Sequence, residues 1–337
     1  MRIEKLLPGI KTNVQLKNYA TFQIGGPAKY FYIAKNKTEL IKATNLAKKF
    51  KLPFFVFSGG SNILVSDKGY KGLVIKVQNA KCKIKNYNSK FKIFCEAGTP
   101  LANLVSKSLK IGASGLEWAV GIPGTVGGAI RGNAGAFGKS MKDITREVEV
   151  FDVKNQLSEL RSPKVKIFKN KDCKFGYRDS VFKRKKNLII LSAVLQLEKG
   201  NKKEIKNKIK KNLEQRKKMQ PLNFPSTGSI FKNPPGFFAG ELGEEDKSSS
   251  SATEALAEVK KRTKFSSPFA AARLIEECGL KGRKIGNVKI SEKHANFIVN
   301  LGNGKAKDVK KLIKLVKKKV KNKFKIDLKE EIQYLGF

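Results

Sequence analysis

Apolar residues recur along the chain with two alternating spacings, one typical of helices and the other of strands. A spacing of three and four residues predicts amphipathic helices, the first of them capped by Thr38, at 38–51, 101–110 and 202–218. Short apolar or alternating runs predict strands at 54–57, 63–65, 73–77, 91–97, 147–153 and 188–197. Strands that alternate with helices indicate a mixed α/β fold, in which the elements from 38 to 77 complete one compact unit.

The last third of the chain repeats this alternation, and the helix at 202–218 forms the natural joint to it. The pattern predicts a helix at 270–278, a strand at 294–300, a long amphipathic helix through 309–320 and a final short strand at 326–335. Residues 241–267 are poor in aromatic residues and rich in Ser, Glu and Lys. This composition predicts an exposed, partly disordered insertion.

Two stretches rich in glycine interrupt these elements. The longer, at 115–138, reads GLEWAVGIPGTVGGAIRGNAGAFG, and the shorter, SGGSN at 58–62, predicts a tight turn between two short strands. A backbone with so few side chains can approach a ligand closely and adopt positive φ at little cost. The two stretches predict loops that hold one extended anionic ligand at two points, with ordinary turns as the alternative.

Two familiar phosphate-binding motifs do not fit the longer stretch. Gly121, Gly124 and Gly127 have the spacing G-x-x-G-x-x-G, whereas the dinucleotide fingerprint is G-x-G-x-x-G. The run at 133–140 ends like a P-loop, but Asn133 stands where the first glycine belongs. Neither nucleotide-binding fold is supported.

Composition limits the class of protein. At 337 residues and 40% hydrophobic residues, the chain is long enough for two or three folded domains. The net charge of +43 invites a nucleic-acid interpretation. The excess is mostly lysine and is scattered over every segment, whereas specific readers of nucleic acid favour arginine. We therefore expect no specific nucleic-acid partner.

The spacing of the cysteines, the single histidine and the short apolar runs exclude several kinds of metal site, catalytic site and membrane segment. The four cysteines match no metal or redox spacing, and a single histidine, His294, excludes a His-rich metal site. A Ser-His-Asp triad would depend on that one residue, and no G-x-S-x-G motif accompanies it. No apolar run has the length of a signal peptide or a membrane span. These features predict a reduced cytoplasmic protein with no metal and no membrane insertion. We expect the protein to be a monomer.

Seven motifs resemble, in order and spacing, those of the UDP-N-acetylenolpyruvoylglucosamine reductase family. They are TFQIGG, SGGSNILVSD, GIPGTVGGAIRGNAGAFG, FGYRDSVFK, PSTGSIFKNP, GLKGRKIGNVKISEKHANFIVN and LKEEIQYLG. The resemblance covers nearly the whole chain and, through Asn-Ala-Gly-Ala-Phe-Gly, indicates the second subtype with a shorter substrate domain. Two departures are Gln23, where the family usually has arginine, and the insertion at 241–267.

The resemblance implies a fold and a reaction. The fold is α/β (α+β), with a two-part FAD-binding domain of the vanillyl-alcohol oxidase type and a separate α/β substrate-binding domain. The expected ranges are 1–81 and 82–208 for the two FAD-binding parts, 209–322 for the substrate domain and 323–337 for a C-terminal strand. The reaction is the NADPH-dependent, FAD-mediated reduction of UDP-N-acetylglucosamine enolpyruvate to UDP-N-acetylmuramate for peptidoglycan.

The same resemblance assigns residues to the ligands. Those expected to hold FAD are Ser58, Gly59, Gly60, Ser61, Asn62, Gly121, Ile122, Pro123, Gly124, Gly127, Gly128, Asn133, Ala134 and Gly135. Those expected to contact the UDP-sugar or its diphosphate are Tyr177, Arg216, Lys232, Asn233 and His294. From the sequence alone, without the family, a structural role would be the better interpretation of His294.

Three residues match the catalytic positions of the family. Hydride addition to the methylene carbon of the substrate puts electron density on the neighbouring carbon and its carboxylate. The site therefore needs a cation at that carboxylate and a proton donor at that neighbouring carbon. Arg178 matches the cation, and its planar fork suits a carboxylate. Ser229 matches the proton donor, because a hydroxyl keeps its proton at neutral pH. Glu331 matches the third, orienting residue, with Glu330 as the alternative.

Two other functions compete with this interpretation. One is a different flavin oxidase or dehydrogenase on the same fold, against which the set Tyr177, Arg178, Ser229 and Glu331 argues. The other is a basic nucleic-acid-binding protein that has kept the scaffold and lost turnover, for which salt-dependent binding without flavin would be the evidence.

Overall fold

The computed structural model describes residues 3–155, 165–234 and 270–337, and its chain divides into two compact units. Unit 1 comprises Met1–Val14, Pro27–Gly60 and Tyr70–Lys218, and unit 2 comprises Gln15–Gly26, Ser61–Gly69 and Met219–Phe337. Two short segments from the first fifth of the sequence therefore belong to the unit that contains the C-terminus. The insertion predicted at 241–267 lies outside the described residues.

Helices and strands alternate through both units. The described α-helices are α1 (Ile3–Leu6), α2 (Lys37–Lys49), α3 (Leu101–Ile111), α4 (Val126–Arg131), α5 (Met141–Ile144), α6 (Val181–Arg184), α7 (Lys202–Met219), α8 (Ala271–Glu277) and α9 (Ala306–Phe324). The strands up to the glycine-rich stretch are β1 (Lys11–Gln15), β2 (Pro27–Ala34), β3 (Phe54–Phe57), β4 (Ile63–Val65), β5 (Tyr70–Val77), β6 (Cys82–Tyr87), β7 (Lys90–Glu96) and β8 (Ala113–Ser114). The later strands are β9 (Gly135–Ala136), β10 (Lys139–Ser140), β11 (Thr145–Asp152), β12 (Val165–Lys169), β13 (Leu188–Lys199), β14 (Ser226–Ser229), β15 (Lys284–Ile285), β16 (Val288–Ile290), β17 (Phe297–Asn300) and β18 (Gln333–Leu335).

Unit 1 contains two larger sheets over one continuous core. The first has the order β1-β2-β5-β3, in which β5 pairs in parallel with both β2 and β3. The second has the antiparallel order β12-β11-β13-β7-β6, with β8 also paired to β13. Alternate side chains of these strands point inward and meet the apolar faces of α2 and α3.

Unit 2 is built around α9. A four-stranded sheet has the order β14-β17-β16-β15, and β18 pairs in parallel with β4. One face of α9 is buried in the core, as its helical spacing predicts, through Val309, Leu312, Ile313, Val316 and Val320. This core also takes Leu64 from β4, and thus includes a segment from the early part of the chain.

Most predicted elements are present, and four predictions are wrong in detail. Helix α2 begins at Lys37, because the side chain of Asn36, and not Thr38, accepts the hydrogen bond from the Glu39 amide at 2.8 Å. Strands β3 and β4 do not complete one compact unit, because β3 pairs with β5 in unit 1 and β4 with β18 in unit 2.

The other two corrections concern irregular backbone. The stretch at 115–138, predicted as a loop, contains the helix α4 and the short strand β9. The strands predicted at 294–300 and 326–335 are shorter, since β17 begins at Phe297 and β18 at Gln333. The domain ranges stay a prediction, although the two larger sheets of unit 1 lie on either side of residue 81.

Candidate active site

The two glycine-rich stretches meet in unit 1. A Cβ atom placed on Gly59 would lie 2.7 Å from the Cα atom of Gly124, so only glycine at position 59 lets the two backbones come this close. Gly60, Gly121 and Gly124 also have positive φ values of 61°, 72° and 121°. The predicted pair of turns thus forms one surface, while Ser61 and Asn62 from the first stretch belong to unit 2.

The longer glycine-rich stretch is fixed to the end of β7. The amides of Val126 and Gly127 donate hydrogen bonds to the carbonyls of Thr99 and Ala97 at 2.9 and 2.8 Å. A Cβ atom on Gly127 would lie 2.7 Å from the Cβ atom of Ala97. Gly127 is therefore required for backbone packing, whatever it also contacts in a bound ligand.

Two buried polar atoms in this region have no hydrogen-bond partner among the residues that the structure describes. They are Oγ1 of Thr125, within the glycine-rich stretch, and Nε of Arg216 on α7. Such an atom costs about 1–3 kcal/mol when it stays unpaired. The buried hydroxyl beside a glycine-rich backbone fits the phosphate groups of FAD, and the buried guanidinium fits the phosphate groups of a second ligand.

Arg216 lies on the inward face of α7. Its helical spacing from Ile205, which is buried, places the guanidinium at the glycine-rich stretch. The Cδ atom of Arg216 is 3.1 Å from the position that a Cβ atom would take on Gly121, and its guanidinium carbon is 5.4 Å from the centre of the Phe137 ring. Burial, and then the charge of Arg178, lower the pKa of Arg216. Two neighbouring guanidinium groups favour an anion between them.

Arg178 occupies a tight turn. Gly176 and Asp179 exchange backbone hydrogen bonds at 3.1 and 3.2 Å, and Arg178 between them has a φ of 53°. The side chain of Asn133 donates from Nδ2 to the carbonyl of Gly176 at 2.9 Å, and Nη2 of Arg178 donates to the carbonyl of Gly135 at 2.7 Å. The glycine-rich stretch thereby holds both the backbone and the side chain of the predicted catalytic arginine.

Tyr177 stands beside Arg178 in the same turn. The guanidinium carbon of Arg178 is 5.2 Å from the centre of the Tyr177 ring, within the range of a cation–π contact. The Tyr177 side chain is 38% exposed, so it is accessible to a ligand.

The other two predicted catalytic residues lie next to each other in unit 2. Ser229 is the last residue of β14, and Ile230 comes next in the chain. The amide of Glu331 donates to the carbonyl of Ile230 at 2.8 Å. Asn62, predicted to contact the cofactor, donates from Nδ2 to the carbonyl of Glu331 at 3.3 Å. The carboxylate of Glu330 accepts a hydrogen bond from Lys317 at 3.0 Å, and the choice of Glu331 over Glu330 stays a prediction.

The predicted substrate residues of unit 2 have different surroundings. The amide of Lys232 donates to the carbonyl of Lys329 at 2.9 Å, and Oδ1 of Asn233 accepts from the first amide of α8 at 3.0 Å. The ring of His294 packs edge-on against Phe297 with centres 4.7 Å apart. Its Nδ1 is buried without a partner in the described part of the chain, and burial lowers the pKa of the imidazole.

Some residues of this region were missed by sequence reasoning. Thr125 lies inside the glycine-rich stretch and could have been found as its one hydroxyl residue. Phe137, which faces Arg216, gives no such signal, because the pairing depends on distant parts of the chain.

The predicted catalytic residues are divided between the two units. Arg178 belongs to unit 1, and Ser229 and Glu331 belong to unit 2.

Two features are absent from the residues that the structure describes. No group of three His, Cys, Asp or Glu side chains there is placed to hold a metal ion. No helix in these ranges combines the length and the apolar character that crossing a membrane requires.

Known proteins match most of the chain. Residues 28–160 match the model of an FAD binding domain, and residues 220–335 match the C-terminal domain of UDP-N-acetylenolpyruvoylglucosamine reductase. A reductase of that name from Caldanaerobacter subterraneus is 39% identical over 96% of this chain and 93% of its own. Another, from Syntrophomonas wolfei, is 38% identical over 97% and 95%.

A solved structure gives the same result for the fold. The reductase of that name from Thermus caldophilus is 31% identical, with a TM-score of 0.73 over 97% of this chain and 98% of its own. The predicted fold class, the FAD cofactor and the oxidoreductase class are confirmed by these matches. The chain belongs to the UDP-N-acetylenolpyruvoylglucosamine reductase family.

Proposed function

We propose that the chain reduces UDP-N-acetylglucosamine enolpyruvate to UDP-N-acetylmuramate, with NADPH as the electron donor, in the cytoplasmic synthesis of peptidoglycan. The protein acts as a monomer and needs no metal or nucleic acid. The observation that carries the proposal is the arginine turn at Arg178, whose side chain is fixed to the glycine-rich stretch of an FAD-binding domain. It places a cation beside the region expected to hold the flavin.

The residues that would hold FAD are those of the two glycine-rich stretches. Gly59 and Gly124 let the backbones meet, and Thr125 offers a buried hydroxyl that finds no partner elsewhere in the described residues. When bound, FAD supplies the hydride transfer that side chains cannot perform. Asn62 and the backbone around Gly60 contribute further polar groups from the shorter stretch.

Arg178 holds the carboxylate of the enolpyruvyl group. A carboxylate accepts two parallel hydrogen bonds from a guanidinium, and the positive charge stabilises the electron density that hydride addition creates. The hydrogen bond from Nη2 to Gly135 and the ring of Tyr177 restrict the rotation of this side chain. The positive group is therefore in place before the substrate reacts, at little entropic cost.

Ser229 donates the proton that completes the reduction. The hydroxyl is a weak acid, so it transfers its proton only to a strongly basic carbon such as the one that forms beside the carboxylate. The backbone amide of Glu331 donates to the carbonyl of Ile230, the residue after Ser229, so Glu331 lies beside the serine. Glu331 orients the serine and the substrate.

The remaining charged residues bind the nucleotide part of the substrate. Arg216 and Lys232 supply positive charge for the diphosphate. His294, neutral at pH 7 because burial lowers its pKa, offers one donor and one acceptor to the UDP-sugar. Asn233 adds an amide near the start of α8.

Anaerobic visible spectroscopy on the purified protein tests the proposal. The flavin absorbance should bleach on addition of NADPH and return when UDP-N-acetylglucosamine enolpyruvate is added. Bleaching without recovery would contradict the proposed substrate while leaving the flavin assignment intact. A colourless protein that takes up no FAD and binds nucleic acid in a salt-dependent manner would support the nucleic-acid alternative.

A further inference from the structure

Two cysteines whose spacing in the sequence matches no known motif lie directly opposite each other in unit 1. Cys82 on β6 pairs with Cys95 on the antiparallel strand β7. Hydrogen-bonded and non-hydrogen-bonded pairs of residues alternate along two antiparallel strands. The amide of Glu96 donates to the carbonyl of Lys81 at 2.9 Å, so the next pair, Cys82 and Cys95, has no backbone hydrogen bonds between its two members. In such pairs the Cα atoms are about 4.5 Å apart and the side chains approach closely. This separation lies within the range that a disulfide bridges.

The two thiols differ in exposure. Cys95 is 2% exposed and faces the core, whereas Cys82 is half-buried on the end strand of its sheet. The Cys95 thiol, and then the charge of Lys107, lower the pKa of Cys82 to about 7 against the effect of burial. Interaction with Cys82, together with burial, raises the pKa of Cys95. A half-buried thiol with a lowered pKa thus stands beside a buried thiol with a raised pKa.

We propose that Cys82 and Cys95 form a reversible disulfide when the protein meets hydrogen peroxide, with Cys82 as the attacking sulfur and Cys95 as the resolving sulfur. The neighbouring strands hold the pair together without any change in backbone register. The other cysteines, Cys173 and Cys278, belong to different parts of the chain, and all four are free thiols in the structure.

The oxidation proceeds in two steps. The Cys82 thiolate attacks one oxygen of peroxide, a sulfur–oxygen bond forms as the oxygen–oxygen bond breaks, and the departing hydroxide takes up a proton to become water. The sulfur of Cys95 then attacks the sulfur of the Cys82 sulfenic acid. The sulfur–sulfur bond forms as the sulfur–oxygen bond breaks, and the leaving hydroxide takes the Cys95 proton. Two thiols are oxidised to one disulfide, and peroxide is reduced to two waters.

The bond would fasten the end strand next to the flavin-binding region. Beyond Cys95, β7 leads into Ala97 and Thr99, whose carbonyls accept the hydrogen bonds from Gly127 and Val126. A covalent link between β6 and β7 restrains the strand that supports the glycine-rich stretch. We therefore expect amide hydrogen exchange over Cys82–Tyr87 to slow severalfold in the oxidised protein.

Thiol counting on the FAD-loaded protein tests this proposal. After treatment with hydrogen peroxide and then denaturation in maleimide, two of the four cysteines should escape labelling, and proteolytic fragments should show Cys82 joined to Cys95. Dithiothreitol should restore four labels. The matched control Cys278→Ser, which replaces another half-buried cysteine, should still lose two labels, whereas Cys82→Ser should keep all three.

Several results would overturn the proposal. They are four labels after peroxide treatment, a disulfide between two copies of the chain through Cys82, and over-oxidised Cys82 with Cys95 still free. Equal loss of label in Cys82→Ser would show that the reacting thiol lies elsewhere. Unchanged hydrogen exchange at β6 in a protein with the disulfide formed would contradict its restraint on the strand.

Discussion

Asn133 donates a hydrogen bond from its side-chain amide to the carbonyl of Gly176 at 2.9 Å, and so links the glycine-rich stretch to the turn of Arg178. Its Oδ1 accepts from the amide of Lys142 at 3.0 Å, and its φ is 42°. The residue was predicted to contact FAD. Its hydrogen bonds in unit 1 indicate that it positions the turn of Arg178, the predicted catalytic residue.

The variant Asn133→Gly tests this role, because glycine accepts the positive φ and removes only the side chain. We expect a loss of about 1 kcal/mol in unfolding free energy, since the carbonyl of Gly176 and the amide of Lys142 lose their hydrogen-bond partner. We also expect kcat of the FAD-saturated enzyme to fall tenfold or more. Asn170→Ala, which removes another asparagine bonded to backbone carbonyls, should affect stability alone. Equal kcat in both variants would contradict a positioning role.

The variant Arg178→Lys keeps the positive charge and removes the planar fork. We expect most activity to be lost, about 2–3 kcal/mol of transition-state stabilisation, because lysine cannot hold a carboxylate through two parallel hydrogen bonds. Steady-state kinetics at saturating FAD measure the effect. The control Arg184→Lys changes an arginine that pairs with Asp179 on the protein surface and should leave turnover nearly unchanged. Near-normal turnover of Arg178→Lys would show that charge alone suffices.

The variant Ser229→Ala separates the two half-reactions. NADPH should reduce the flavin at nearly the wild-type rate, while reoxidation by the enolpyruvyl substrate should slow by about 10²–10⁴-fold, the usual contribution of a positioned acid. Anaerobic stopped-flow absorbance measures both rates. Ser226→Ala, at the other end of β14, should retain both. A similar decrease in both half-reactions of Ser229→Ala would indicate a structural role for the serine.

The contact between Gly59 and Gly124 gives a further prediction. The methyl group of Gly59→Ala would lie 2.7 Å from the Cα atom of Gly124 and push the two glycine-rich stretches apart. Overpacking of this kind costs about 1–3 kcal/mol, and we expect FAD affinity to fall with it. Gly132→Ala meets only an ordinary contact at 3.6 Å and should bind FAD normally. Fluorescence titration of the apoprotein with FAD compares the two variants.

Local sequence patterns predicted much of this arrangement, because helical spacing and glycine content act over short distances. The inward face of α7 and the pair of glycine-rich turns are examples. The assignment of β4 could not be predicted, since its partner β18 lies at the far end of the chain. The same is true of the contact between Asn133 and Gly176, which depends on how α4 packs and not on any motif.

His294 provides a prediction on pH. Burial lowers the pKa of its imidazole below the usual value of about 6.5, so the unfolded chain binds this proton more readily than the folded one. The contribution of His294 to stability is therefore fully present above pH 6.5 and decreases as the pH falls from there towards the folded pKa, by at most about 1.4 kcal/mol per pH unit. Urea unfolding of the wild type and of His294→Gln at pH 7.5 and 5.5 measures this term. The wild type should lose more stability than the variant over that interval, because glutamine does not titrate. An equal loss in both proteins would show that His294 is protonated as easily in the folded chain as in the unfolded one.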